Sequence, residues 1–301
     1  MNHSLRYLHY DVFTDRALEG NQLAVFPEPA GLTTAVMQSI TREMNFSECT
    51  FIFPPEVPDT GVRMRIFTPG EELPMAGHPT VGSTFALAKE GVIVTGQRDF
   101  VFGLGVGPTP VEIEWKQDAI DFVWMTQSRP TYAGTIAEPA RFAAAIGLSA
   151  SDLGPTGPEA VSCGNLFLIA PLRSRDGVDR VEIDRAQYAK VCAAAGLKEL
   201  PLLIFSLEES GDLSIYSRML APGLGVSEDP ATGSAAGPLG CYLHKHQLVA
   251  RERLSHIVNL QGVRMIRPSR LHISIEGGGD EVSRVRVGGR SVLVGEGTLT
   301  F

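Results

Sequence analysis

Arg65-Ile-Phe-Thr-Pro69-Gly70, followed by Pro74-Met-Ala-Gly77-His78, is the stretch that decides the fold, because the chain spells it twice. The second copy runs Arg218-Met-Leu-Ala-Pro222-Gly223 and then Pro230-Ala-Thr-Gly233-Ser234. Arg65 and Arg218 lie 153 positions apart and Gly77 and Gly233 lie 156 apart, so the second copy carries three extra residues within Leu224 to Asp229. Each copy reads as a strand, a turn and a small-residue start of a helix. In a chain of 301 residues, the repeat predicts two similar lobes of about 150 residues each. It also predicts where chemistry belongs, at two helix N-termini that face each other.

The helix that follows each copy lacks a charged face. In 79–89, Val81, Thr84, Phe85 and Ala88 share one side, while Gly82, Ser83 and Ala86 occupy the other. The helix at 234–246 is marked in the same way by Ala236, Leu239, Gly240 and Leu243. Such a helix is buried on every side, and sheet wrapped round it is the economical cover. Apolar segments at 7–13, 22–26, 49–53, 62–68, 100–102, 111–115 and 120–125 read as strands of the first half. Those at 202–205, 213–220, 263–266, 271–275, 282–287 and 291–294 read as strands of the second. Further helices are predicted at 33–43, capped by Thr33, and at 139–146 and 184–195. Many antiparallel strands with few helices predict an α+β fold of two pseudo-symmetric lobes, each an antiparallel sheet curled round a central helix. The lobes are drawn at 1–127 and 128–301, with a return strand near 291–301 completing the first.

A net charge of -8 argues against nucleic acid or an anionic membrane as partner. A small anionic substrate remains compatible, because local backbone dipoles dominate at that scale. The opening Met1-Asn2-His3-Ser4-Leu5-Arg6 has no basic-then-apolar pattern, so no signal peptide is expected. No apolar run approaches the roughly 18 residues of a membrane helix. Cys49, Cys163, Cys192 and Cys241 are scattered without a Cys-x-x-Cys pair, and read as reduced thiols of the cytoplasm.

Three polar residues beside the repeat could carry chemistry. A glycine at a helix start lets backbone N–H groups approach a ligand, and the helix dipole favours an anion there, so Gly77 and Gly233 with Ser234 read as caps of buried helices or as carboxylate binders. His78 reads as an exposed or hydrogen-bonded helix-start histidine, or as a general acid/base or orienting donor; its helix-start position disfavours the imidazolium. Asp229 reads as a turn aspartate before Pro230 or as a carboxylate aimed at the substrate. Glu48, where a helix ends and an apolar strand begins, reads as a solvated loop residue or as a desolvated base with a raised pKa. Glu199, before Leu200-Pro201-Leu202, occupies a similar place in the second half, and spacing does not choose between the two. His244 and His246 at i, i+2 do not share a helix face, so metal is not expected. Gly103-Leu-Gly105-Val-Gly107 lacks the strand, helix and lysine of a phosphate loop. There is no Gly-x-Ser-x-Gly elbow, and nothing marks Cys49 as an activated thiolate.

Taken together these motifs resemble the phenazine biosynthesis PhzF-like family, which is similar in fold to diaminopimelate epimerase and proline racemase. The resemblance runs from Asp11-Val-Phe-Thr and Gly20-Asn21 through Asn45-Phe-Ser-Glu48, Arg65-Ile-Phe-Thr-Pro69 and Ala76-Gly77-His78-Pro79-Thr80. It continues through Glu228-Asp229-Pro230-Ala-Thr-Gly233-Ser234-Ala235 to Gln261-Gly262 and Arg267-Pro268. It implies a cofactor-free isomerase, commonly dimeric, with its site in a cleft between the lobes. It further implies Glu48 as the general acid/base that shuttles a proton between carbons of a small unsaturated ring acid. His78 and Asp229 would then orient the substrate or exchange protons with it. Ser234 and the backbone of Gly77 and Gly233 would bind its carboxylate. The chain departs from the family in having Gln22 for the usual proline and Cys49 for the common threonine. The two catalytic thiols of the epimerases would fall at Ala76 and Thr232, so two-cysteine racemisation is not expected. The alternatives are a one-base epimerase or hydro-lyase on another small acid, and a non-catalytic carboxylate-binding protein.

Overall fold

The computed structural model describes residues 4–208, 215–279 and 281–301. By contact the chain forms two units, Met1–Thr126 with Gly288–Phe301, and Gln127–Val287. The first unit contains β1 (Ser4–Val12), β2 (Asn21–Phe26), α1 (Thr34–Met44), β3 (Glu48–Phe53), β4 (Val62–Phe67) and β5 (Glu72–Leu73). Then come α2 (Gly77–Lys89), β6 (Asp99–Leu104), β7 (Gly107–Lys116) and β8 (Ala119–Gln127). The C-terminal strand Ser291–Thr300 pairs with β1 and opens a sheet that continues β1, β2, β3, β4, β6, β7, β8. Pairing is antiparallel except for β2 with β3 and β4 with β6. Those two parallel pairs are the ones joined through a helix, α1 and α2, because a parallel return needs a long crossover.

α2 packs against β1, β2 and β3, and Gly77 to Thr84 are buried along with Ala86 and Leu87. Helix and sheet approach so closely at Gly82 that a Cβ there would stand 2.6 Å from both Leu23 and Val12. The buried hydroxyls of Thr50 on β3 and Ser83 on α2 satisfy each other at 2.9 Å. α1 covers the opposite face of the sheet, where Met37 and Ile40 meet Phe26, Phe51 and Phe67. Its cap is Thr33, whose side chain accepts from the Val36 N–H.

The second unit contains β9 (Thr131–Thr135), α3 (Pro139–Ala145), β10 (Glu159–Ser162), β11 (Leu166–Pro171), α4 (Arg175–Arg180) and α5 (Arg185–Ala194). β12 (Leu202–Leu207), β13 (Ile215–Ala221), β14 (Val226–Asp229) and α6 (Gly233–Lys245) follow. β15 (Ile257–Gln261), β16 (Ser269–Gly278) and β17 (Glu281–Gly289) end it. Its strands pair in the order β9, β10, β11, β12, β13, β15, β16, with β11–β12 and β13–β15 parallel. The strand order and the central helix repeat those of the first unit, with α4 and α5 in the place of α1 and α3 added. α6 packs on β10, β11 and β16, and Gly240 lets it approach Ile273 and Ile275. Tyr188 of α5, Phe142 of α3 and Val178 of α4 fill the opposite face against Leu202, Ile204 and Tyr216.

The repeated arginines turn out to be braces. Arg65 grips Glu72 of β5 with Nε and Nη2, and Arg218 grips Glu228 of β14 in the same fork. Each fixes the short strand that leads into the central helix. The three extra residues of the second copy fall in a 3₁₀ turn at Pro222–Leu224, a left-handed Gly225 and the start of β14.

Several expectations need correction. The strand expected at 263–266 is a 3₁₀ turn over Val263–Met265, flanked by left-handed Gly262 and Ile266. A Cβ at Gly262 would stand 2.4 Å from the Arg267 carbonyl and 2.5 Å from that of Pro230, so glycine is required at this crossing. Ile266 is left 85% exposed, and the strand lies earlier, at β15. The central helices start at Gly77 and Gly233, ahead of the apolar periodicity. The strand expected at 213–220 is β13, and residues 213 and 214 lie outside the described residues.

Candidate active site

In the first unit, α1 ends at Asn45, whose left-handed backbone (φ 52) turns the chain towards β3. Glu48 opens β3 in parallel register with Leu23. Its side chain is 17% exposed. Removal from water disfavours the carboxylate and pushes its pKa up to about 7, against a smaller opposing effect of the Ser47 hydroxyl. His78, the second residue of α2, is buried and brings Nδ1 to 3.5 Å from Glu48 Oε2.

Asn21 joins this pair from the other side. Its Nδ2 lies 3.5 Å from His78 Nδ1, and its Oδ1 accepts from the Ser47 hydroxyl at 2.7 Å. Asn21 owes its place to Gly20, whose φ of 69 and approach to the Val12 carbonyl exclude any side chain. Glu48, His78, Asn21 and Ser47 thus form one hydrogen-bonding group around a carboxyl that titrates near neutrality. Burial pushes the Cys49 thiol up to about 12, so no thiolate competes with the acid next to it.

In the second unit, Asp229 ends β14 and is half-buried. Its Oδ2 accepts from the hydroxyl of Thr232, the residue that precedes α6. Gln261 on β15 locks the turn, donating to the Asp229 carbonyl at 2.8 Å and to Thr232 Oγ1 at 3.1 Å. Gln127 donates to the Gly233 carbonyl at 2.8 Å. Ser234 is half-buried in the first turn of α6. Asp229, Gly233 and Ser234 therefore stand together at one helix start, as Glu48, His78 and Gly77 do at the other.

Register separates the two glutamates that spacing leaves open. Cys49 pairs with Phe67, and Leu202 pairs with Leu220, at the same distance from the repeated arginines. The counterpart of Glu48 is therefore Pro201. Glu199 lies two residues earlier, held by Arg185 at 2.9 Å. The supporting residues Asn21, Ser47, Thr232, Gln261 and Gln127 had no assigned role from sequence. Asn21 and Gln261 do sit within the quoted motifs, which was the available signal. Among the described residues no group of three or more His, Cys, Asp or Glu is placed to hold a metal ion.

Residues 10–297 match the family model of phenazine biosynthesis-like proteins. The chain belongs to that family. It is 36% identical to the trans-2,3-dihydro-3-hydroxyanthranilate isomerase of Pseudomonas aeruginosa, over 97% of this chain and 98% of the relative. A crystal structure of a PhzF-family phenazine biosynthesis protein from Bacillus anthracis superposes with a TM-score of 0.85 at 25% identity, covering 99% of each chain. A hydroxyproline epimerase from Agrobacterium vitis shares the fold alone, with a TM-score of 0.64 at 11% identity over 99% of this chain and 93% of that one. The PhzF-like chain is accordingly an isomerase with a diaminopimelate epimerase-like fold. In that fold the residues preceding the two central helices are Ala76 and Thr232 here, neither of which is a thiol.

Proposed function

We propose that this isomerase moves a proton between two carbons of a small unsaturated cyclic acid, or of a hydroxy or amino acid, without a cofactor. Glu48 is the acid/base that carries the proton. The observation behind this reading is a carboxyl with a pKa near 7, desolvated and 3.5 Å from an imidazole nitrogen. A group with that pKa is present in both forms at neutral pH, so it can take a proton from one carbon and return it to another. His78 orients the substrate or relays the proton, and Asp229 does the same from its own helix start. The N–H groups of Gly77 and Gly233, with the Ser234 hydroxyl, bind the substrate carboxylate. Their bonds strengthen as the adjacent carbon gains negative charge. The relatives that act on trans-2,3-dihydro-3-hydroxyanthranilate support an acid of that class. We assign the enzyme to the cytoplasm as a homodimer; light scattering in solution tests the dimer, and fractionation of cells tests the location.

The experiment is a deuterium-exchange screen over small carboxylic acids. The expected outcome is deuterium entering at one carbon while a proton leaves another, with migration of the double bond. Label confined to a single stereocentre would make the enzyme an epimerase instead. Tight binding of an acid with no exchange would make it a carboxylate-binding protein.

A further inference from the structure

The second unit hides polar groups where the first has hydrocarbon. Asn259 on β15 is fully buried, and no protein group hydrogen-bonds its amide nitrogen or its amide oxygen. Ser217 on β13 is also fully buried with an unbonded hydroxyl. In the parallel ladder Ile215 faces Asn259 and Ser217 faces Gln261, so Ser217 and Asn259 are diagonal neighbours on one face of the sheet. That face is turned to α6. Phe205, opposite Ser217, stacks edge-on against Tyr242 of α6. Ile273, opposite Ile257 on the same face, closes against Gly240 of α6.

Counting from the repeated arginines, the corresponding residues of the first unit are Met64, Phe102 and Leu104, all buried and apolar. The packing frame therefore does not call for polar side chains here. Their third member, Gln261, is the residue that bonds Thr232 and the Asp229 carbonyl. A buried amide left without partners is strongly disfavoured, and a polar site of this kind is where proteins hold internal water.

We propose that Asn259 and Ser217 bind internal water on the sheet face covered by α6, and that this water braces the Gln261–Thr232–Asp229 network. On the proposed function, Asn259 and Ser217 are then positioning residues for Asp229, acting through Gln261. Water can offer Asn259 both a donor and an acceptor, and no side chain bonds either end of its amide.

The test is a crystal structure of the enzyme at near-atomic resolution, paired with the double variant Asn259→Leu/Ser217→Ala. The expected density is ordered water within hydrogen-bond distance of Asn259 and Ser217, absent in the double variant. The variant should melt at or above the wild-type temperature, because both polar partners are removed together. Its kcat should fall about tenfold with KM little changed, the pattern of a misplaced proton-transfer group. Dry density around a directly bonded Asn259, or a kcat equal to wild type, would overturn the proposal. An inactive wild-type enzyme that still shows the water would support the water site and count against the isomerase reading alone.

Discussion

The starts of α2 and α6 share one backbone plan and differ in how each treats its acid. At the start of α2, Glu48 is drawn out of water beside a buried histidine, and its pKa rises to about 7. At the start of α6, Asp229 is held by Thr232, and Gln261 fastens the turn that carries it. The first environment leaves the charged form under-solvated and ready to change. The second satisfies the carboxylate and keeps it in place. Duplication supplied two equal frames, and a few side chains divided the work between them: His78 against Ser234, Glu48 against Pro201, and Leu104 against Gln261.

The sharpest way to break this comparison is Glu48→Gln. Label incorporation into a bound acid should fall on the order of 10³-fold, while calorimetry should find acid binding close to wild type. Loss of binding together with exchange would give Glu48 a binding role instead. The same acid should shape stability. Its carboxyl keeps its proton to higher pH when folded, so stability is fully present at low pH and is lost as pH rises from 4.5 through about 7. The expected loss is about 3 kcal/mol, and Glu48→Gln should flatten that slope in denaturant titrations at pH 5 and pH 8. Asp229→Asn should lower kcat less, by about 10², in the same exchange assay.

Packing offers a smaller contrast. Gly82→Ala forces a methyl against Val12 and Leu23, and Gly240→Ala forces one against Ile273 and Ile275. Each should cost about 1–3 kcal/mol in chemical unfolding. A cost at one helix only would end the argument that both helices press on their sheets alike. Glu199→Gln should be mildest, under about 1 kcal/mol in stability, because its pair with Arg185 lies near the surface. Exchange activity in that variant should match wild type.

Much of the frame was legible. The absence of a charged face on 79–89 and 234–246 announced buried helices, and Thr33 announced the cap of α1. The segment 263–266 misled because its apolar residues mimic a strand, whereas the crossing at Gly262 imposes a turn. β9 and β10 were missed because short strands in a Pro- and Gly-rich stretch carry no clear alternation. Asn21 and Gln261 stood inside recognisable motifs, yet their partners lie 57 and 32 residues away along the chain.

The sequence by itself determined the doubling, the two buried helices and the glycines at their starts, because periodicity and backbone freedom are local properties. Which glutamate became the titrating one was decided only in three dimensions. Desolvation of Glu48 depends on β3 pairing with β2 and on His78 arriving from α2, contacts between segments that the chain keeps apart. Glu199, 21% exposed, is instead paired with the Arg185 guanidinium at 2.9 Å. A pKa reports surroundings, and surroundings exist only once the chain has folded.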